Sequence, residues 1–159
     1  MNDFSGNESR LRLRAKESED LTVISACLQG AVTCYGEIAY DKAEERFAAI
    51  MVRYTWEDAA SHKFDKDVLP LKQVRAALRI EGVHKILLKK VDQTKENRLL
   101  ELIAISALKV RDKNRIRLIF SCGGEILVDV EGFDIRMEDL DEPVQSNLMV
   151  TFDGDEPID

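Results

Sequence analysis

Two histidines and three cysteines are the residues of this chain that could carry nucleophilic catalysis or bind a transition metal. A nucleophilic cysteine needs a neighbouring base, usually histidine, and the sequence offers Cys122, in a glycine-rich turn, with His84 on another strand. No CxxC, HxxxH or HxH spacing occurs, which disfavours a zinc site. A turn cysteine and a surface histidine are therefore a better interpretation than a hydrolase.

Two other segments fit cofactor chemistry poorly. The acidic residues between 134 and 142 could hold a hard cation, but they lack the spacing of an ordered calcium loop. The Gly123-Gly124 pair joins two antiparallel strands, whereas a phosphate loop leads from a strand into a helix. We therefore expect no cofactor, no metal site and no catalytic residue.

Arginine and aromatic side chains come together in one segment of the chain. Arg46 precedes Phe47, and Arg53 precedes Tyr54 and the only tryptophan, Trp56. Arg, Tyr and Trp concentrate binding energy at protein interfaces. The sequence therefore predicts a binding site that uses Arg46, Arg53, Tyr54 and Trp56, with a core or rim position for Trp56 as the alternative.

A basic sheet face is the second candidate surface. Residues 10–15 alternate arginine with leucine or alanine, so the three arginines share one face of a strand. Basic residues of later strands could join them in contacting nucleic acid; the set is Arg10, Arg12, Arg14, Arg75, Arg79, Lys85, Lys89, Arg115 and Arg117. The net charge of −7 repels phosphate, so nucleic-acid binding ranks below protein binding.

Strands must position most of these residues, because apolar side chains alternate through much of the chain. One helix is predicted over about residues 19–29, where apolar residues recur at helical spacing before Gly30. Residues 73–81 fit a strand better than a helix. The other predicted strands cover residues 32–40, 46–57 and 83–91, and residues 59–72 are predicted to be a polar loop.

The last hairpins can be aligned by side-chain parity. A two-residue turn would send the apolar side chains of the two final strands to opposite faces. A loop of three residues, 122–124, keeps them on one face, pairs Arg117 with Asp129 and places Gly124 in the left-handed conformation. The same argument predicts a three-residue loop over 112–114.

The chain has 159 residues, of which 45% are hydrophobic, and this suits one domain. We expect an α+β fold in which one main N-terminal helix packs on a largely antiparallel, curled β-meander sheet. The predicted domain, residues 10–143, follows a flexible N-terminus, 1–9, and precedes an acidic C-terminal tail, 144–159. Cysteine usage and the lack of a long apolar run favour a cytoplasmic protein without a membrane span.

Several short motifs together resemble a small family of bacterial proteins known only as a domain of unknown function, typical of alphaproteobacteria. The matching features are Glu19-Asp20-Leu21, Ile24-Ser25-Ala26, Arg46-Phe47, residues 53–57, and Leu118-Ile119-Phe120 followed by Gly123-Gly124. The resemblance implies a bacterial cytosolic protein of one compact domain and brings no activity.

The residues and the resemblance together predict a non-enzymatic binding or adaptor module. Its partner is a protein, either a second copy or another chain, and it acts through an exposed sheet edge or the region of Arg53 and Trp56. An enzyme of unknown reaction and a weak nucleic-acid-binding domain are the alternatives.

Overall fold

In a computed structural model, the described residues are 10–61 and 68–151, and their side chains are described for 10–58 and 71–146. The predicted flexible N-terminus, residues 1–9, and the end of the predicted acidic tail, residues 152–159, lie outside the described residues. Most of the described residues lie in strands that pair antiparallel, and few lie in helices, so the predicted dominance of antiparallel sheet is confirmed.

Eleven strands and two α-helices are described. The strands are β1 (Arg12–Ala15), β2 (Val32–Cys34), β3 (Ile38–Asp41), β4 (Arg46–Tyr54), β5 (Val68–Glu81), β6 (Val83–Lys89), β7 (Leu99–Val110), β8 (Lys113–Phe120), β9 (Glu125–Val130), β10 (Ile135–Asp139) and β11 (Val144–Thr151). The helices are α1 (Ser18–Cys27) and α2 (Trp56–Ser61). The strand order is β1-β10-β5-β4-β2-β7-β8-β9-β6, with β11 beside β5 and β3 beside β4.

Helix α1 forms where the apolar periodicity predicts it. Glu19 and Asp20 lie in the first turn, where acidic side chains favour the positive end of the helix dipole. Leu21 and Ile24 are buried, and the helix contacts β1 and β7. Gly30 follows with a φ of 80°, which a residue without a Cβ adopts at no steric cost.

Strand β4 buries one of its two alternating sets of side chains. Its buried face carries Phe47, Ala49, Met51 and Arg53. The predicted strand to residue 57 is too long, because β4 ends at Tyr54 and Trp56 begins α2. Ile50 and Val52 therefore lie on the outer face of the sheet.

Two boundaries differ from the prediction. Residues 73–81 form a strand as predicted, but β5 begins at Val68, so helix α2 and strand β5 replace both ends of the predicted 59–72 loop. Strand β11 pairs with β5. Hydrogen-bonded sheet therefore continues past residue 143, where the acidic tail is predicted to begin.

In the β8–β9 hairpin the apolar side chains lie on one face, as predicted, but the register of the two strands differs from the predicted one. Phe120 donates its N–H to the Gly124 carbonyl, so the loop is 121–123 and Gly123, with a φ of 92°, takes the left-handed position. Arg115, not Arg117, lies opposite Asp129. A two-residue shift preserves the buried face, so parity could not detect it.

The predicted 112–114 loop of the preceding hairpin is wrong. Val110 pairs with Lys113 across a two-residue turn in which Arg111 and Asp112 both have positive φ, 54° and 68°. A bulge between Leu102 and Ala104 changes the face on which later β7 side chains lie. The parity argument assumed unbroken alternation, and the bulge breaks it.

The buried residues form one apolar core that joins α1 to both ends of the strand order. Its largest side chains include Phe47 and Phe120. None of the helices within the described residues is long and apolar enough to cross a membrane.

Candidate functional site

Arg53 lies at the centre of a buried ion-pair cluster with Asp139 and Glu57. Its Nε and Nη2 donate to the two Asp139 carboxylate oxygens at 2.8 Å each. Nη1 and Nη2 donate to Glu57 at 2.9 and 2.7 Å, and Nη1 also donates to the Tyr54 carbonyl at 3.0 Å. All five guanidinium N–H groups are therefore used, as burial of this side chain requires.

The electrostatics of the cluster favour its charged form. Burial alone would lower the pKa of Arg53, but the hydrogen bonds to Asp139 and then Glu57 outweigh it and raise that pKa. Burial alone would raise the pKa of Glu57, yet the Arg53 hydrogen bond keeps it below its usual value. With no accessible surface, Arg53 ties β4 to α2 and β10 from within.

The other residues of the predicted Arg and aromatic site are only partly brought together. Tyr54 and Trp56 contact each other edge to face, with ring centroids 5.9 Å apart. The Trp56 indole N–H donates to the Gln29 carbonyl at 2.8 Å. Arg46 lies seven residues before Arg53 on β4, about 23 Å away at the usual rise of a strand, and pairs with Glu81.

Four arginines of the predicted basic face pair with the acidic residues between 134 and 142, and three others pair with carboxylates elsewhere. Strands β1 and β10 pair antiparallel, which aligns the arginines of residues 10–14 with carboxylates of residues 134–142. The ion pairs are Arg10–Glu142, Arg12–Glu138, Arg14–Asp134, Arg75–Asp141, Arg79–Glu81, Arg115–Asp129 and Arg117–Glu125. A nucleic-acid site on this face stays a prediction, and the paired carboxylates weaken its basis.

Asp134 interacts strongly with two arginines of this surface. Burial alone would raise the pKa of Asp134, but hydrogen bonds from Arg14 and Arg136 lower it to about 2. The Arg14 Nε lies 3.0 Å from Asp134 and the Arg136 Nη2 lies 3.3 Å from it. One carboxylate therefore neutralises neighbouring arginines of two adjacent strands.

Cys122 and His84 are not brought together. Cys122 is exposed in the β8–β9 turn, near the Lys89 end of β6, because Lys89 pairs with Glu125. His84 lies at the other end of β6, where its Nε2 contacts the Glu131 carboxylate. Among the described residues, no group of three His, Cys, Asp or Glu side chains is placed to hold a metal ion.

Another candidate site lies between two strand edges that face each other. Within residues 10–61 and 68–151, β3 pairs only with β4, and β6 pairs only with β9. The Tyr40 hydroxyl donates to the His84 carbonyl at 3.4 Å, so a side chain spans the distance between the two backbones. Directly paired strands lie about 4.8 Å apart, and this gap, which we call the β3–β6 slot, is wider.

The β3–β6 slot has an apolar floor and bridged ends. It encloses about 370 Å³, and its lining residues are Tyr35, Ile38, Tyr40, Phe47, Ile86, Leu87, Leu88 and Gln93. Tyr40 and His84 bridge one end, and the Tyr35 hydroxyl donates to the Gln93 side chain at 3.4 Å at the other. Phe47 is fully buried beneath it.

The sequence did not reveal this slot. The sequence predicts strands over residues 32–40 and 83–91, but the order of strands in a sheet is set by long-range pairing. The remaining signal is the alternation of β6, in which Ile86 and Leu88 pack toward the core while Lys85 and Lys89 are exposed. That pattern is typical of any strand with one solvated face.

Comparison with known proteins identifies a family without assigning an activity. The sequence model of a family described as "Protein of unknown function (DUF2948)" matches residues 11–150. No curated protein and no solved structure matches the chain. Because the match spans most of the chain, from β1 to β11, the protein belongs to the DUF2948 family.

Proposed function

We propose that this protein is a non-enzymatic binding module that captures an extended segment of another protein in the β3–β6 slot. The observation that carries the proposal is the pair of strand edges, each without a strand partner in the described residues, on either side of an apolar floor. An unpaired edge presents N–H and C=O groups that an added strand can satisfy.

The slot specifies the inner side chains of its occupant. Ile38 and Tyr40 lie opposite Ala49 and Phe47, so they share the buried face of β4. An inserted strand would direct every second side chain onto this face, against Phe47 and Ile86. Apolar residues at alternate positions fit this floor, since a polar group buried there would lack a partner.

The exposed side of β6 specifies the other side chains. Lys85 and Lys89 are exposed on the solvent face, and opposite charges on neighbouring strands stabilise a sheet. Acidic residues at the outward positions would lie beside these lysines. The occupant is therefore an extended segment that alternates apolar and acidic residues.

A labelled peptide of alternating valine and glutamate residues tests the proposal by fluorescence anisotropy. We expect saturable binding to the full chain, because the peptide offers both the apolar and the acidic positions. The same peptide with alternate backbone amides N-methylated should bind at least about tenfold more weakly, since it cannot donate to the strand edges. Equal binding of the two peptides, or no binding of either, would contradict strand capture.

Two variants locate the bound peptide. The double change Lys85→Glu and Lys89→Glu should reverse the preference, so that a valine and lysine peptide binds better than the valine and glutamate peptide. Leu108→Asp is the matched control, because Leu108 is an exposed apolar residue, 39% accessible, outside the slot. A loss of binding in the control would place the peptide elsewhere.

A further inference from the structure

The outer face of the sheet carries two rows of side chains that run across β5, β4, β2 and β7. Directly paired residues define the first row as Arg75, Val52, Val32 and Glu101. The second row contains the pair Ala77 and Ile50 and the pair Cys34 and Leu99. The first row thus has a cation at one end, an anion at the other and valines between them.

These rows form an exposed apolar surface. Leu99 is 72% accessible and Val52 is 38% accessible, which is unusual for large apolar side chains that lie close together. A groove of about 220 Å³ runs between the strands, lined by Ile50, Val52, Val32, Cys34 and Leu99 among others. The surface lies on the opposite side of β4 from Phe47 and the core.

We propose that this face binds a second copy of the same chain, face to face, about a two-fold axis parallel to the strands. Such an axis, placed between the β4 and β2 columns, reverses the order of each row in the partner. Arg75 then lies over Glu101 of the second copy, and Val52 lies over Val32. The contact between Arg75 and Glu101 occurs twice, because the interface is the same patch on each copy.

The second row is complementary in size under the same operation. The small Ala77 lies over the large Leu99 of the second copy, and the large Ile50 lies over the smaller Cys34. Facing sheets pack by such interdigitation of inner side chains. A two-fold axis across the strands would instead place each column over the same column of the second copy, so Arg75 would face Arg75 or Ala77 and never Glu101. The charge pattern therefore favours the parallel axis.

Arg75 already has an intramolecular partner, Asp141, at 2.6 Å. Both side chains are about half exposed, so this pair leaves the guanidinium accessible to a second carboxylate. Glu101 is exposed on β7. The proposed contact therefore adds Glu101 to an existing pair and does not require Arg75 to exchange partners.

Sedimentation equilibrium of the full chain and of two charge-reversal variants tests the proposal. Arg75→Glu places four like-charged carboxylates in the interface, and Glu101→Arg places four guanidiniums there. Each variant alone should dissociate at least about tenfold more readily than the wild-type dimer. An equimolar mixture should restore the dimer, because in the mixed pair both contacts join a carboxylate to a guanidinium.

Controls separate this interface from misfolding and from the β3–β6 slot. Lys109→Glu, an exposed charge reversal on β7 outside the two rows, should leave the dimer unchanged, and circular dichroism should show every variant folded. A wild-type chain that stays monomeric at high micromolar concentration would overturn the proposal. A mixture that dissociates as readily as the single variants would also overturn it. Neither result bears on peptide binding in the slot.

Discussion

The Arg53 cluster and the β3–β6 slot differ in whether the polar groups of the protein find partners within the described chain. Around Arg53, every guanidinium N–H has an acceptor, and the side chain has no accessible surface. Around the slot, two strand edges face an apolar groove, and long tyrosine side chains bridge its ends. The first region is closed by its own residues and the second is open.

The comparison shows that residues of a type frequent in binding sites are not always accessible to a partner. Arg, Tyr and Trp are frequent in binding sites, but Arg53 joins β4, α2 and β10 from within. Trp56 contacts Tyr54 and the Gln29 carbonyl. The slot is lined by isoleucine, leucine and tyrosine of ordinary strands. In the proposed function, binding depends on backbone groups that lack strand partners in the described chain, and the composition of a segment does not indicate where these groups lie.

The largest expected effect is on stability, from removing the Arg53 cation. Arg53→Met leaves the buried Asp139 carboxylate without its partner, which should lower the free energy of unfolding by about 3–5 kcal/mol. Adding Asp139→Leu to Arg53→Met should recover a large part of this loss, because no buried charge is left unpaired. Urea unfolding followed by circular dichroism measures both variants.

An exposed ion pair provides the control for the Arg53 variant. Arg12 pairs with Glu138 at 3.4 Å and its side chain is 61% accessible, so Arg12→Met should cost no more than about 1 kcal/mol. Similar losses in Arg12→Met and Arg53→Met would show that the buried cluster contributes no more than a surface pair, and the comparison would fail.

The place of Arg53 explains part of what the sequence could predict. Alternation in residues 46–54 correctly indicates a strand, but an arginine on the buried face conflicts with the usual rule that charged side chains are solvated. Its partner Asp139 is 86 residues away. Only the pairing of β10 with β5, and of β5 with β4, brings the two together, and local periodicity contains no information on that pairing.

The hairpins show the same limit at shorter range. Local parity correctly places the apolar residues of β8 and β9 on one face, since Leu118 pairs with Ile126. It misses the β7–β8 register because of the bulge near Leu102, and it misses the two-residue turn because Arg111 and Asp112 adopt positive φ. Such turns usually contain asparagine or glycine, so the sequence gives no strong signal for this one.

The slot predicts unequal hydrogen exchange in β6 and β9. β9 has strand neighbours on both sides, whereas β6 has one in the described chain. The Val83 N–H donates to the Glu45 carbonyl at 2.8 Å, and the later β6 amides that face the slot have no strand beside them in the described chain. Peptides covering residues 83–89 should exchange about tenfold or more faster than those covering 125–130. Equal protection of the two strands, measured by mass spectrometry, would mean that the slot is closed in solution.

Asp134 gives a smaller, pH-dependent effect at the solvated surface. Its folded pKa is about 2 against an ordinary value of 3.8, so its contribution to stability is complete above about pH 4 and is lost as the pH falls toward 2. Asp134→Asn should lower the unfolding free energy at neutral pH by about 1 kcal/mol, since Arg14 and Arg136 are partly solvated. It should also make the unfolding free energy fall less steeply as the pH is lowered. Arg14→Gln should reproduce about half of this change.

The smallest effect is expected at the slot, from removing the hydroxyl of Tyr40. The Tyr40 hydroxyl bridges to the His84 carbonyl at 3.4 Å in an exposed position, where water can replace it. Tyr40→Phe should therefore change the unfolding free energy by less than about 0.5 kcal/mol, while it frees a backbone acceptor for an incoming strand. Binding of the valine and glutamate peptide should be retained or strengthened. A stability loss above about 1 kcal/mol together with lost peptide binding would show that the tyrosine is a structural closure like Arg53, and that the two regions do not differ in kind.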